Sequence, residues 1–399
     1  MPAPPKACPP FYGYEQIPRE SWDVAPWNRW TFQHMREQMP TTRVWRGAGP
    51  AAPLECALRD LGGIEFECDV GRLTVRDWLG SSDTDGFLVL HHGRVVTELY
   101  FNCMARATPH SVQSVSKSIV GSVAGTLSAR GVLCPAAAVT DYLPELGNTA
   151  YRGATVQQVL DMSTGVRWDE NYTSLDSNVA RMDAASGWKV RRDASWPRSM
   201  WELLPTLTEQ ECPHGSEFRY RSIETDVLAF VLQRATGRPL ADLVSSELWA
   251  PLGAEEDGFF TVDPAGFACA CGGFNATLRD LGRFARLLAE GGTQAGREIL
   301  PASWFADTRR GAPAVFAGEY LETLPTGGYR NQFWLERPGQ GPVLARGAFG
   351  QLVYADPEAG FAAVKLSCWP VFVDGVRTRT ALAAIRAIRT ELAGALAAS

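Results

Sequence analysis

The chain has 399 residues, 45% of them hydrophobic and 21% charged, with a formal net charge of -6. That length supports a large core in one big domain or two intimate subdomains. The acidic balance argues against nucleic acid and anionic membrane as principal partners.

Residues 1–50 are rich in Pro, Trp and Arg and show no periodicity. They predict an extended arm lying on the body, anchored by Trp22, Trp27, Trp30 and Trp45. The N-terminus shows no apolar stretch of the secretory kind. No apolar run approaches the length of a membrane span, about 18 residues. The nine cysteines are odd in number and lack disulfide spacing, so they read as reduced thiols in a cytoplasmic protein. Cys269-Ala270-Cys271 has no second pair and no nearby histidine, so it reads as structural thiols, and no metal or cofactor is expected.

Phe87-Leu88-Val89-Leu90, a His91-His92-Gly93 turn and Arg94 to Tyr100 predict a β-hairpin. A small, apolar helix buried nearly all round opens near Ser114. Thr155 caps a short helix that Gly165 ends. Residues 166–200 hold many Asp, Ser, Trp and Arg without a period, and form a lid candidate. Helices resume at 224–236 and 239–248, and an amphipathic helix runs from Thr277 to Glu290. Strand signals follow at 332–335, 351–354 and 361–366, and an alanine-rich helix closes the chain at 377–397. Hairpins at both ends with helices between predict an antiparallel sheet built from both termini, with an inserted, mainly helical region. The implied division is an arm (1–50), a sheet subdomain (51–113 and 266–399) and a helical subdomain (114–265).

The chemistry is carried by Ser114-Val115-Ser116-Lys117. The chain has four lysines, at 6, 117, 189 and 365, so a lysine three residues after a serine at a helix start is a specific signal. Residues i and i+3 share a helix face, which sets the Lys117 amine beside the Ser114 hydroxyl. A serine becomes a strong nucleophile when a neighbour takes its proton. Lysine does so when neutral, so burial is expected to lower its proton affinity. Ser186-Gly187-Trp188-Lys189 repeats the spacing in a polar stretch with no apolar helix after it, and reads as a decoy. His110 lies close to Ser114 and reads as a loop residue rather than a base.

Tyr220-Arg221-Ser222 leads into a helix, and Tyr220 is a candidate proton relay. On the residues alone, a packing tyrosine is an equal reading. Arg346-Gly347-Ala348-Phe349-Gly350 is the candidate second half of an oxyanion hole, completing the Ser114 N–H from an edge strand. An ordinary Gly-rich turn is the alternative.

Taken together, these motifs resemble the serine β-lactamase and penicillin-binding-protein superfamily, and more closely the aminohexanoate-dimer (nylon-oligomer) hydrolases. The stretches that carry the resemblance also include Trp27-Asn28-Arg29-Trp30, Val139 to Leu146, Gln158 to Met162, Ser186-Gly187-Trp188, Thr225 to Ala229 and Val364 to Pro370. It implies an α+β, class C β-lactamase-like fold. It implies that Ser114 is the nucleophile, Lys117 the base and Tyr220 the relay, with an oxyanion hole from the N–H groups of Ser114 and Ala348. Ser222 stands where the wider superfamily has asparagine. Tyr172 matches the lid tyrosine that contacts the scissile amide, and Asp183 the carboxylate that meets a substrate amine. The Lys-Thr-Gly strand motif reads Ala345-Arg346-Gly347 here, which disfavours β-lactam substrates and leaves Arg346 as an alternative carboxylate contact. Cys271 falls at a pocket position where the resemblance implies a polar residue.

The implied activity is cleavage of linear amide or ester bonds in a small molecule through an acyl-enzyme, with a homodimer as the implied assembly. An acyltransferase or carboxylesterase using the same acyl-enzyme is the second reading. A non-catalytic binding protein on this scaffold is the third.

Overall fold

A computed structural model describes residues 16–397. Seven antiparallel strands form its main sheet, in the order Gly328–Arg330, Phe333–Leu335, Val343–Gly347, Gln351–Asp356, Phe361–Ser367, Thr84–His91, Arg94–Tyr100. Strands from the N-terminal hairpin and the C-terminal third thus lie side by side, paired through Thr84–His91 and Phe361–Ser367.

Both faces of the sheet are covered. Leu88, Leu90, Ala362 and Val364 pack on one side with Leu281, Phe284 and Ala285 of the helix Leu278–Ala289. Phe87, Val89, Phe361 and Ala363 pack on the other with Leu382, Ile385, Ile388 and Leu392 of the closing helix Gly375–Ala397. Strands buried on both faces carry unbroken apolar runs, which is why Phe87 to Leu90 does not alternate. The spacing of Ile385, Ile388 and Leu392 sets them on one helical face.

The helix Val115–Ala129 is buried over most of its length and packs beside Ile223–Thr236, so the serine segment and the tyrosine segment enter the interior together. The segment 166–200 is less irregular than its sequence predicts. It carries the helix Asn178–Ala185, capped by the Ser177 side chain on the Ala180 N–H. The short helix near 156 stops at Leu160 through Met162 in a left-handed conformation. Gly165 does not end it; a Cβ there would strike the Cys212 carbonyl at 1.7 Å.

The arm is not extended throughout. It forms two single-turn helices, Asn28–Thr31 and Met35–Gln38, then a strand, Thr41–Val44, paired with Gly258–Thr261. Trp22 and Trp30 are buried anchors, whereas the Trp45 side chain is 47% exposed, and its backbone carbonyl accepts the Ser245 hydroxyl at 2.6 Å. The arm braces the serine and oxyanion segments. The Ser111 N–H donates to the Phe32 carbonyl at 2.7 Å, and the Phe32 ring meets Phe349 at 5.1 Å. Truncating Trp22 is expected to cost about 3–5 kcal/mol.

Candidate active site

Gln113 holds a left-handed φ of 48° immediately before Ser114, and the Ser116 hydroxyl locks it by donating to the Gln113 carbonyl at 2.6 Å. Non-glycine residues keep that conformation where the surroundings fix it. The turn places Ser114 at the mouth of the helix Val115–Ala129. Lys117 Nζ lies 2.8 Å from Ser114 Oγ and 2.6 Å from the Cys271 carbonyl oxygen, and the lysine is 1% exposed.

The expectation of a lysine depressed by burial is not met. Burial pushes the Lys117 ammonium down, but Tyr220, Cys271 and Glu170 push it up, and the net shift is upward. The resting lysine therefore carries its proton. Tyr220 is electrostatically coupled to both Ser114 and Lys117, and burial raises its phenol against the pull of those two groups. Lys117 also sits 5.2 Å over the Tyr220 ring. Lysine and tyrosine form one coupled unit whose protons belong to the pair.

Two neighbours fix Tyr220. Its backbone N–H donates to the Tyr320 hydroxyl at 3.0 Å, and its ring stacks on Trp334 with centroids 5.4 Å apart.

Gly347 ends the strand Val343–Gly347, which is third in the sheet and not at its edge. A Cβ at Gly347 would stand 2.7 Å from the Val112 carbonyl and 3.1 Å from Gln113 Cβ. Only glycine lets this strand end lie against the serine turn. Among the described residues, the backbone N–H groups of Ser114 and Ala348 donate to no protein acceptor. One of these N–H groups is on the serine itself and the other follows Gly347; a developing oxyanion requires a pair of such donors.

Ser222 and Tyr172 converge on Glu170, a residue that sequence reasoning missed. Glu170 Oε1 accepts from the Tyr172 hydroxyl at 2.6 Å, and Oε2 from the Ser222 N–H at 2.9 Å and from Trp168 Nε1. The Tyr172 ring stacks on Phe372, which contacts Phe349 beside Ala348. The lid is thereby tied to both walls of the cleft. Nothing in the spacing of Glu170 and Tyr172 announces this, because the shared partner is 52 residues away.

Asp183 is half-buried, and its carboxyl group is pushed up to about 8 by burial and by Asp23, against Lys189. The Arg346 guanidinium lies 4.9 Å over the Trp334 ring, donates to Thr323 Oγ1 at 3.1 Å and is pulled down to about 10 by burial. Cys271 is buried, and burial and Asp226 push its thiol well up. It enters the site through its backbone carbonyl.

The decoy tetrad is structural. Lys189 Nζ pairs with Asp23 and the Glu20 carbonyl, and Ser186 Oγ donates to the Asp183 carbonyl. His110 lies on a short strand, Pro109–Ser111, with Nε2 on Asp85 Oδ2 and Nδ1 at the Ser111 carbonyl oxygen, so neither nitrogen reaches Ser114. Among the described residues seven cysteines are free and Cys103 is disulfide-bonded, which corrects the reading of all nine as reduced; Cys8 lies outside the described residues. Among the described residues, no helix is long and apolar enough to cross a membrane.

The β-lactamase family profile matches residues 81–387. The chain belongs to the β-lactamase family. As such it is a serine hydrolase, and its α+β architecture is that of the family. It is 37% identical over 354 residues to a 6-aminohexanoate-dimer hydrolase of Paenarthrobacter ureafaciens, covering 88% of each chain. It is 30% identical over 177 residues to esterase EstB of Burkholderia gladioli, covering 41% of this chain and 42% of that one. A solved structure from Bacillus anthracis, provisionally assigned as a 6-aminohexanoate-dimer hydrolase, superposes with a TM-score of 0.84 at 27% identity, covering 96% and 97% of the two chains.

Proposed function

We propose that this β-lactamase-family enzyme hydrolyses linear amide and ester bonds of the aminohexanoate-oligomer type through an acyl-enzyme on Ser114. The observation that carries the reading is the 2.8 Å approach of Lys117 Nζ to Ser114 Oγ, with the same amine 5.2 Å from the Tyr220 ring. After the Lys117–Tyr220 pair has lost a proton, it takes the hydroxyl proton as Oγ bonds to the scissile carbonyl carbon. The carbonyl oxygen gains the negative charge and is held by the N–H groups of Ser114 and Ala348. The C–N or C–O bond then breaks, and the leaving group receives a proton from Tyr220. Water repeats the sequence on the acyl-enzyme and frees the acid.

Arg346 offers a cation for the carboxylate end of a linear substrate, and Asp183 a carboxyl group for the amine end that is charged above about pH 8. With alanine at the Lys-Thr-Gly lysine position, β-lactams are disfavoured. The cytoplasmic placement draws on the seven free thiols; the Cys103 disulfide points the other way, and cell fractionation decides between them.

The test is a panel of aminohexanoate dimer, short linear amides, p-nitrophenyl esters and a chromogenic cephalosporin, run beside a phosphonate probe. Turnover of an ester and of a linear amide, with Ser114 as the labelled residue, is the expected result. Labelling elsewhere, or an inert panel, overturns the reading.

A further inference from the structure

Asp226 lies on the first turn of the helix Ile223–Thr236, four residues after Ser222, and is buried. Its Oδ1 accepts the Ala270 N–H at 2.9 Å. Its Oδ2 makes no hydrogen bond within ordinary distance and angle, while the Cys271 thiol and backbone N–H both stabilise the carboxylate. The turn so gripped is the one whose Cys271 carbonyl receives Lys117 Nζ at 2.6 Å. It is pinned from the other side where the Phe274 N–H donates to Ser116 Oγ at 3.0 Å. The carboxylate, the turn and the amine form one line running from the tyrosine helix to the serine helix.

This arrangement has a chemical consequence. A neutral amine has two N–H bonds and one lone pair. A carbonyl fixed on one side takes an N–H and turns the lone pair toward the remaining neighbour, Ser114 Oγ. A buried carboxylate that feels the Lys117 charge also favours the charged amine. Burying a carboxylate is costly, and a purely architectural tie to the Ala270 N–H would need only a neutral acceptor.

We propose that Asp226 is a positioning residue for the base: through the Ala270–Cys271 turn it aims the carbonyl that orients Lys117, and its charge sets how readily that amine gives up its proton. The groups facing Lys117 are Tyr220 from the segment before the tyrosine helix, Cys271 from the turn, Glu170 from the lid and Asp226 itself. Those facing Asp226 are Lys117, the Cys269 and Cys271 thiols and Tyr151. Lys117 is the cation among them, so removing the carboxylate charge acts on it directly.

The inference rests on the proposed roles of Ser114 and Lys117. Its test is the pH dependence of kcat/KM for a p-nitrophenyl ester, measured on the full chain. Asp226→Asn keeps an oxygen for the Ala270 N–H and loses the charge. Its acid limb is expected to move to lower pH by about one unit, with KM unchanged. Asp226→Ser also loses the anchor. It is expected to show the same shift with kcat lower by on the order of ten- to a hundredfold, the scale of a misplaced reacting group. If Asp226→Asn does not fold, Asp226→Ser carries the test of the limb. A limb that stays at the wild-type position in the folded variant overturns the proposal and leaves Asp226 a structural tie. Failure of Ser114 labelling in the wild type would instead overturn the reading on which it rests.

Discussion

Ser222 Oγ donates to Glu170 Oε1 at 2.5 Å, a contact between the N-cap of the tyrosine helix and the lid. The same oxygen takes the Tyr172 hydroxyl, so one carboxylate orients two hydroxyls that line the cleft. Glu170→Gln puts an NH2 at one of the two oxygen positions: at Oε2 it meets two N–H donors, Ser222 N–H and Trp168 Nε1, and at Oε1 it forces both hydroxyls to turn and accept. A buried polar mismatch costs about 1–3 kcal/mol. The expected result is about a tenfold loss in kcat/KM with a lower melting temperature. Kinetics and thermal denaturation of the one variant check it, and unchanged values in both would refute the assignment.

Ser114→Ala removes the atom that forms the acyl bond. Loss of the nucleophile is expected to lower kcat by several orders of magnitude and to abolish phosphonate labelling. The substituted side chain is small and stands at a helix mouth, so folding is expected to be intact by circular dichroism. Residual turnover near the wild-type rate would assign the chemistry to another residue.

The rate should climb with pH from neutral into the alkaline range. Tyr220, Cys271 and Glu170 outweigh burial and hold Lys117 above the ordinary lysine range, so the deprotonated pair is a minority at neutral pH. Raising the pH enlarges that fraction, and kcat/KM rises with it. A profile that is flat from about pH 5 to 9 would mean that a base other than this pair takes the serine proton.

Asp183 gives a second pH dependence, in binding rather than chemistry. Its carboxyl group is pushed up to about 8 by burial and by Asp23, so it is mostly protonated below that value and charged above it. KM for a substrate bearing an amine is expected to fall as pH rises through about 8, as long as the amine stays protonated. Asp183→Asn should raise that KM by about tenfold, the worth of a hydrogen bond to a charged group, and leave a neutral p-nitrophenyl ester unaffected. Equal effects on both substrates would remove Asp183 from amine recognition.

The legible part of the site is the part written in short-range spacing. Ser114 and Lys117 lie one turn apart on a single helix, so the sequence alone predicts their 2.8 Å approach. The Phe87 to Leu90 run was legible as a strand because both sheet faces are covered. Glu170 was not, because its meaning lies in Ser222, far along the chain. The Cys271 contact was hidden for another reason: a backbone carbonyl does the work, and any residue type supplies one. The charge on Lys117 was misread because burial, the part visible in an apolar sequence, is outweighed by partners from three other segments. The strand Thr41–Val44 was missed because it is short and mostly half-exposed, which erases the alternation that marks a strand.

Lys365 offers a prediction about stability rather than catalysis. It is fully buried on the strand Phe361–Ser367, with Nζ bonded to Ser367 Oγ and set 5.7 Å from the Trp78 ring and 5.5 Å from the Trp369 ring. Burial lowers its ammonium from 10.5 to about 7, against the pull of Asp85. Between those two values the unfolded chain binds a proton that the folded chain does not. Stability therefore rises with pH across that window, and below about 7 the full cost of the buried charge remains. Lys365→Met keeps an unbranched apolar stem between the two indoles and removes the titration. Denaturant unfolding at several pH values should show a positive slope in the wild type between about pH 7 and 10, and a flatter one in the variant. Parallel slopes would mean that Lys365 titrates in the folded protein as it does in the unfolded chain, and that the two tryptophans with Ser367 hold a charged ammonium at no net cost.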